Sequence, residues 1–397
     1  MADQLIDTSV AAPVVADGVI IVATSGSISS NNAGTALTLN GSFTAFIDGS
    51  IHAINDWAVF ASGADTSASL EISENARIIA VSSPGANAAS GIIFDGPYGE
   101  LVNHGYVFGT FVGIGLEGLA SGDQQSIENY GGVVGQYAVD VITTGTITVN
   151  NYDGAIIEGH TTGIHADSPG AVIVVNNAGM IAGPEAISVL GTLQLHNTGV
   201  IIGAVRSGGS ATAAANGSIA GGGAAMQLDD GADGSTIVNT GKIIAGEDGV
   251  AIELGDGADT VRNKGSVDGL VNLGGGNDRF VSNGTADTVH GGAGRDVIRS
   301  GGGGDWINGG AGRDKIKPGR GKDVIVHEQG DGKDKVFHFK PGKDVLDLSD
   351  HNFSGFGDLS SAITGKGNKV VIDLTGSDQI VLSHVDKADL SAHDFIL

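Results

Sequence analysis

The sequence predicts an all-β chain: a parallel β-helix solenoid that continues into a parallel β-roll and ends in a C-terminal β cap. Three observations carry that expectation. Between residues 273 and 326 an aspartate recurs every nine residues, closing a glycine-rich turn and followed two positions later by a hydrophobic residue. Ahead of it runs a looser motif in which an asparagine and a glycine separate two short apolar stretches. Glycine is abundant, at 68 residues, while aromatics make up only 5%, which favours thin repetitive cores over one large globular core.

Residues 1–28 form an apolar, weakly alternating lead-in, readable as a first strand or as a cap. Asp3, Asp7 and Asp17 stand where a secretory signal peptide would carry positive charge, so the segment is not read as one. No run of about eighteen apolar residues occurs, so no transmembrane helix is expected.

Residues 29–272 are read as the β-helix. The recurring unit is hydrophobic, x, Asn, x, Gly, x, hydrophobic, x, Gly, as in LVNHGYVFG from Leu101 and IENYGGVVG from Ile127. Its asparagines fall at 103, 129, 151, 177, 197, 216, 239 and 263. That spacing suits one coil of a parallel β-helix, with short strands burying one face and Asn and Gly at corners where left-handed angles are tolerated. Stacked asparagines at equivalent corners could then hydrogen-bond along the stack. A β-sandwich with glycine turns is the competing fold. The asparagine coils resemble the passenger rods of bacterial autotransporters and surface adhesins, in architecture only.

Residues 273–326 carry Asp278, Asp287, Asp296, Asp305, Asp314 and Asp323 in strict register. Glycine lets a tight turn aim its carbonyls inward. The candidates are Gly274, Gly276, Gly292, Gly294, Gly301, Gly303, Gly310, Gly312, Gly319 and Gly321. Carbonyls and carboxylates together form an oxygen-only ligand set, which suits a hard cation accepting six to eight oxygens, namely Ca2+. Phe280, Val289, Ile298, Ile307, Ile316 and Ile325 would point into a narrow core. A glycine-rich linker would not hold aspartate and hydrophobe in fixed register. The nonapeptide resembles the calcium-binding repeat of RTX (hemolysin-type) proteins. Units two apart should stack, so Asp278, Asp296 and Asp314 line one edge and Asp287, Asp305 and Asp323 the other. On the second edge Asn283, Thr285 and Ala286 interrupt the glycines and Pro318 stiffens an entry. Non-glycine residues at positive φ cost about 1 kcal/mol each, so the first edge is expected to bind more tightly.

The two repeats overlap. Residues 249–265 hold both Asp259, in the aspartate register, and the Asn263 corner, and residues 228–238 read as a degenerate earlier copy. One continuous solenoid is expected, its coils shrinking from about 23 to 18 residues. From His327 the register breaks, and residues 327–397 are read as a cap and secretion signal. Phe339, Pro341, Gly342, Asp344, Leu346, Asp347, Leu348 and Ser349, with the terminal ADLSAHDFIL, resemble the C-terminal module of serralysin and related RTX families. That resemblance implies export by a type I secretion apparatus. A solenoid also needs a cap whatever its route.

The net charge of −25 makes nucleic acid and anionic membranes poor partners. Only Arg77, Arg206 and Lys242 are basic in the first 250 residues. There is no cysteine, hence no disulfide framework and no thiolate metal site. A zinc protease needs H-E-x-x-H, but His327-Glu328 is followed by Gln-Gly-Asp, and no G-x-S-x-G elbow occurs. The Y-G-x-D-P-H run of RTX-linked alginate epimerases is also missing. The best cluster for chemistry is His160, His165 and Asp167, with Asp140 nearby; the alternative there is a polar corner with incidental histidines. The sequence thus points to a secreted calcium-binding β-solenoid, extracellular or at the cell surface, with a structural or adhesive role. Its expected partners are calcium, the type I apparatus, and an extracellular polysaccharide or the cell surface. A polysaccharide-active enzyme on the β-helix is the alternative.

Overall fold

The computed structural model describes the chain apart from residues 1–3, 7–8, 11–13, 31–33, 63–67, 84–87, 98–99, 121, 230, 232 and 366, and the side chain of Asp17. Asp3 and Asp7 of the lead-in, and Asp230 and Ala232 of the degenerate copy, therefore lie outside the described residues. The chain divides into two compact units. One comprises residues 1–209 and 216–221, the other residues 210–215 and 222–397.

In the first unit every described strand pairs in parallel with a strand one coil away, so the β-sandwich alternative does not hold. Parallel stacking already runs through the lead-in, where Gln4–Ile6 pairs with Val14–Val22 and that strand with Leu37–Ile47. One column of strands is Glu100–Asn103, Gln124–Asn129, Thr146–Asn151, Val172–Asn177 and Thr192–Asn197. A second column is Gly132–Ile142, Ile156–Ala166, Met180–Val189 and Val200–Ser207. These strands are long because each bends at a bulge, between Gly135 and Tyr137 and between Glu158 and Thr162. Gly159 sits at such a bend, where a Cβ would overlap the Thr162 carbonyl. Inward-pointing Leu101, Ile127, Val149, Val175 and Leu195 are fully buried, as alternation along a strand requires.

The asparagines close the first column. Asn103, Asn129, Asn151, Asn177 and Asn197 are buried; each of the first four donates its amide to the side-chain oxygen of the next at 2.8 Å, and Asn197 donates to the Ser218 carbonyl at 3.2 Å. In earlier coils the same position is apolar, since Asn103 pairs with Ile72 and Ile72 with Ile47. In the second unit Asn239 donates to Asn263 at 2.9 Å. Asn216 is not a member: Ala215 pairs with Asn239, and Asn216 is exposed.

The second unit has two main strand columns. One runs Thr236–Asn239, Thr260–Asn263, Arg279–Ser282, Val297–Gly302, Lys315–Arg320 and Lys333–Phe337. The other runs Val250–Leu254, Leu270–Asn272, Thr288–His290, Trp306–Asn308, Val324–Val326 and Val345–Asp347. The coil shortens along the unit, from 24 residues between Asn239 and Asn263 to 18 between successive roll aspartates. Phe280, Val289, Ile298, Ile307, Ile316 and Ile325 are at most 1% exposed and form the expected core. At the C-terminal end an antiparallel hairpin, Lys369–Asp373 with Gln379–Ser383, joins Lys333–Phe337, and Phe395–Ile396 pairs with Val345–Asp347. No described helix is long and apolar enough to cross a membrane.

Candidate metal centre

Each nonapeptide places a glycine turn, an aspartate and a short strand in order. The turn glycines adopt the conformation the sequence demands. Gly274, Gly276, Gly292, Gly294, Gly310 and Gly312 have φ between +80° and +157°, and Gly301, Gly303, Gly319 and Gly321 lie between +97° and +144°. Crowding adds a second constraint at some of them. A Cβ at Gly294 would overlap the Gly276 carbonyl, and one at Gly321 the Gly303 carbonyl.

The aspartates stack on two edges. Asp278, Asp296 and Asp314 form one ladder, in which the backbone N–H of each donates to the Oδ1 of the next at 2.8 Å. Asp259 enters the same ladder, its N–H reaching Asp278 Oδ1 at 2.7 Å. Asp287, Asp305 and Asp323 form the other, at 2.9 and 3.1 Å. Both ladders run past the point where the sequence register breaks. Asp314 N–H donates to Asp334 Oδ1 at 2.9 Å, and Asp323 N–H to Asp344 Oδ1 at 3.4 Å. The sequence reading missed both, because their spacings are 20 and 21 residues instead of 18. The signal was present in Gly330 and Gly332 before Asp334 and in Gly342 before Asp344, all with positive φ.

One expectation is corrected. Asn283, Thr285 and Ala286 do not carry positive φ; among described non-glycine residues only Asn55, His338, Asn352 and His384 do. Gly284 is not left-handed either. The turn before Asp287 abandons the glycine-turn backbone instead of straining it. Asp287 compensates through side chains, accepting from Asn263 Nδ2 at 3.2 Å and Thr285 Oγ1 at 3.4 Å.

The carboxylates are poorly supplied with positive charge. Oδ2 of Asp287, Asp296, Asp305, Asp314 and Asp323 is buried without a hydrogen-bond partner. Burial pushes Asp296 and Asp305 up to about 6. It also raises Asp314 and Asp334, where neighbouring carboxylates add to the desolvation. A cation would remove both penalties, since an opposite charge favours the ionised form. No cluster of three His, Asp or Glu side chains poised for a metal exists among the described residues. An ion here must therefore draw much of its oxygen shell from the backbone, as Ca2+ does and zinc does not.

Residues 272–307 and 300–333 match the family model described as the RTX calcium-binding nonapeptide repeat (4 copies). This stretch is an RTX calcium-binding repeat region. No curated protein matches the chain. The repeats account for the parallel roll, and calcium is the cofactor of repeats of this type.

Away from the roll, the first unit joins two residues of the cluster noted in sequence. His165 Nδ1 lies 2.7 Å from Asp140 Oδ1. The hydrogen bond to Asp140 raises His165 above the usual histidine value. The Tyr137 ring packs 4.8 Å from that of His165. His160 stands apart, with Nδ1 3.0 Å from the Gly135 carbonyl oxygen.

Proposed function

We propose that calcium binds between successive turns on both edges of the roll and completes its fold. Asp259, Asp278, Asp296, Asp314 and Asp334 would serve one edge, and Asp287, Asp305, Asp323 and Asp344 the other. Each carboxylate holds the preceding coil's backbone through Oδ1, and Asp287, Asp296, Asp305, Asp314 and Asp323 offer Oδ2 to the ion. Carbonyls of the left-handed turn glycines complete the oxygen shell. When bound, the ion supplies the positive charge that these ladders otherwise lack. The observation that carries the reading is the row of buried, unpartnered Oδ2 atoms at Asp287, Asp296, Asp305, Asp314 and Asp323. Sites of extracellular type bind at about 10⁻⁴ to 10⁻³ M, so the repeats would stay loose where calcium is scarce and set where it is millimolar. Far-UV circular dichroism of the chain in chelator and in millimolar calcium tests this. Identical β-signals in the two conditions would refute it.

In the same reading the protein is exported by a type I apparatus and acts as a structural or adhesive solenoid at the cell surface or in the extracellular matrix. The C-terminal residues that resemble the serralysin module support export. Loss of residues 388–397 should abolish secretion from a type I-competent host. It should also loosen the last turn of the second edge, because Asp394 accepts from the Gly342 N–H, two residues before Asp344. Secretion of the truncated chain at the full-length level would count against the signal.

A second reading, a polysaccharide-active site on the first unit, is favoured by the Asp140–His165 pair. A carboxylate that orients a histidine is a familiar general-base arrangement. Glu117 nearby is raised by burial and by Asp95 and Asp140, and Glu185 and Arg206 pair at 3.3 Å. Release of unsaturated uronides or reducing ends that disappears in His165→Gln would promote this reading over the first.

A further inference from the structure

The roll is basic on one face, in a chain of net charge −25. Its outward positions flank each buried hydrophobe. On the strands Thr260–Asn263, Arg279–Ser282, Val297–Gly302, Lys315–Arg320 and Lys333–Phe337 they include Arg262, Arg279, Arg299, Lys315, Lys317 and Lys335. The register sets Arg299 beside Lys317 and Lys315 beside Lys335 on adjacent coils. The strands of the opposite face carry Thr288, Trp306 and Val324 at equivalent positions. Neighbouring strands lie about 4.8 Å apart, and like charges directly opposite one another destabilise a sheet. A stacked cation column thus works against the fold unless something negative lies on it.

The column borders a cleft of about 600 Å³. Arg299, Lys317, Arg320 and His338 line it together with Ser282 and Asn283, and no carboxylate does. Lys340, also on its wall, is already engaged by the Gly319 carbonyl and lies 3.9 Å from Asp344. Arg299, Lys317 and Arg320 are exposed and make no ion pair among the described residues.

We propose that this face binds an acidic polysaccharide, whose anionic groups are held by Arg299, Lys317 and Arg320 in the cleft. This rests on the extracellular role given above and names its ligand class. Cations that recur coil by coil suit a chain that carries negative groups in series. Guanidinium forks match carboxylate and sulfate oxygens. The exposed amide of Asn283 suits sugar hydroxyls. Nucleic acid is disfavoured because the face has few rings on which successive bases could stack. Its rings are already engaged: Phe337 is half-buried with Lys335 Nζ 4.5 Å from its centroid, and His338 stacks on His384 at 5.3 Å.

The test uses the full chain at saturating calcium, titrated with polygalacturonate, dextran sulfate, neutral dextran and a single-stranded oligonucleotide. One or both acidic polysaccharides should bind and neutral dextran should not; the preferred polymer distinguishes carboxylate from sulfate as the recognised group. The Arg299→Gln/Lys317→Gln double variant should lose about tenfold or more in affinity, and binding should weaken as salt rises. Its calcium-induced circular dichroism should match the parent, which checks folding. If the double variant fails to fold, Arg320→Gln, at the turn end of its strand, carries the same expectation at about threefold. An unchanged affinity in a folded variant, or an oligonucleotide bound as tightly as the better polysaccharide, overturns the proposal. A chain that folds with calcium yet binds neither acidic polysaccharide refutes this inference alone. A chain that shows no response to calcium refutes the calcium reading itself.

Discussion

Gly294 and Gly284 occupy turns of the same roll yet answer to different constraints. Gly294 has φ +150° and no room for a Cβ; Gly284 is not left-handed and has nothing within 4 Å of that position. Gly294→Ala should therefore abolish calcium-induced folding of the repeats, whereas Gly284→Ala should leave the calcium midpoint unchanged within about twofold. Circular dichroism titration of the two variants is the check. The same contrast ranks the aspartates. Asp296 lies between two turns whose glycines are left-handed, and its Oδ2 has no partner besides the proposed ion. Asp287 follows the altered turn and accepts from Asn263 and Thr285. Asp296→Asn should cost more calcium affinity than Asp287→Asn, on the order of tenfold more. Calorimetric titration showing the reverse would mean that the edges are wrongly assigned. The repeat aspartates and their glycines were legible in sequence because each recurs at one interval. Asp334 and Asp344 were not, because the ladder tolerates an extra residue or two in the intervening loop while the eye follows a fixed period.

The asparagine columns are the element that makes the first unit regular. Asn129, Asn151 and Asn177 each both donate to and accept from neighbouring asparagines, and Asn151 also donates to the Met180 carbonyl at 3.0 Å. Asn151→Ala would orphan buried groups on both sides. Its expected effect is a loss of about 2–4 kcal/mol in unfolding free energy, read from denaturant melts at saturating calcium. Exposed Asn176 bonds Asn150 at 2.7 Å on the outer surface, and Asn176→Ala should cost well under about 1 kcal/mol. Sequence alone identified the column from Asn103 to Asn197, since a polar residue that recurs at the coil period finds its partner in the coil above or below. It misplaced Asn216 by one residue, because Ala215 fills the inward position and a single amide gives no hint of which way it faces. The Asp140–His165 contact, 25 residues apart, was beyond reading because it depends on how coils pair across a bulge.

For the protein as a whole, the proposed sites make calcium and protons compete for the same carboxylates. Asp296 and Asp305 rise from a usual 3.8 to about 6 by burial in the metal-free fold. A carboxyl raised on folding stabilises that fold below the unfolded value, and the contribution is lost as pH rises through the folded one. The metal-free repeats should accordingly weaken between about pH 4 and 6. Calcium needs the ionised form, so its affinity should rise with pH through the same window, with protons released on binding. Calorimetry in two buffers of different ionisation enthalpy should show that release at pH 6 and little of it well above pH 8, where Asp314, raised to about 8, is also ionised. Equal affinity at pH 5 and pH 7.5 would contradict it.

In the second unit the asparagine column leads directly into an aspartate one, where Asn263 donates to Asp287. An asparagine carries its own donor and acceptor, so a row of them is complete in any solvent. Exchanging the amide nitrogen for a second oxygen removes the donor while leaving the shape almost unchanged. The row is then an open circuit that only an outside charge can close. On the proposed reading, the asparagine rows are material that sets on synthesis and the aspartate rows material that cures only on meeting calcium, as mortar does on meeting air.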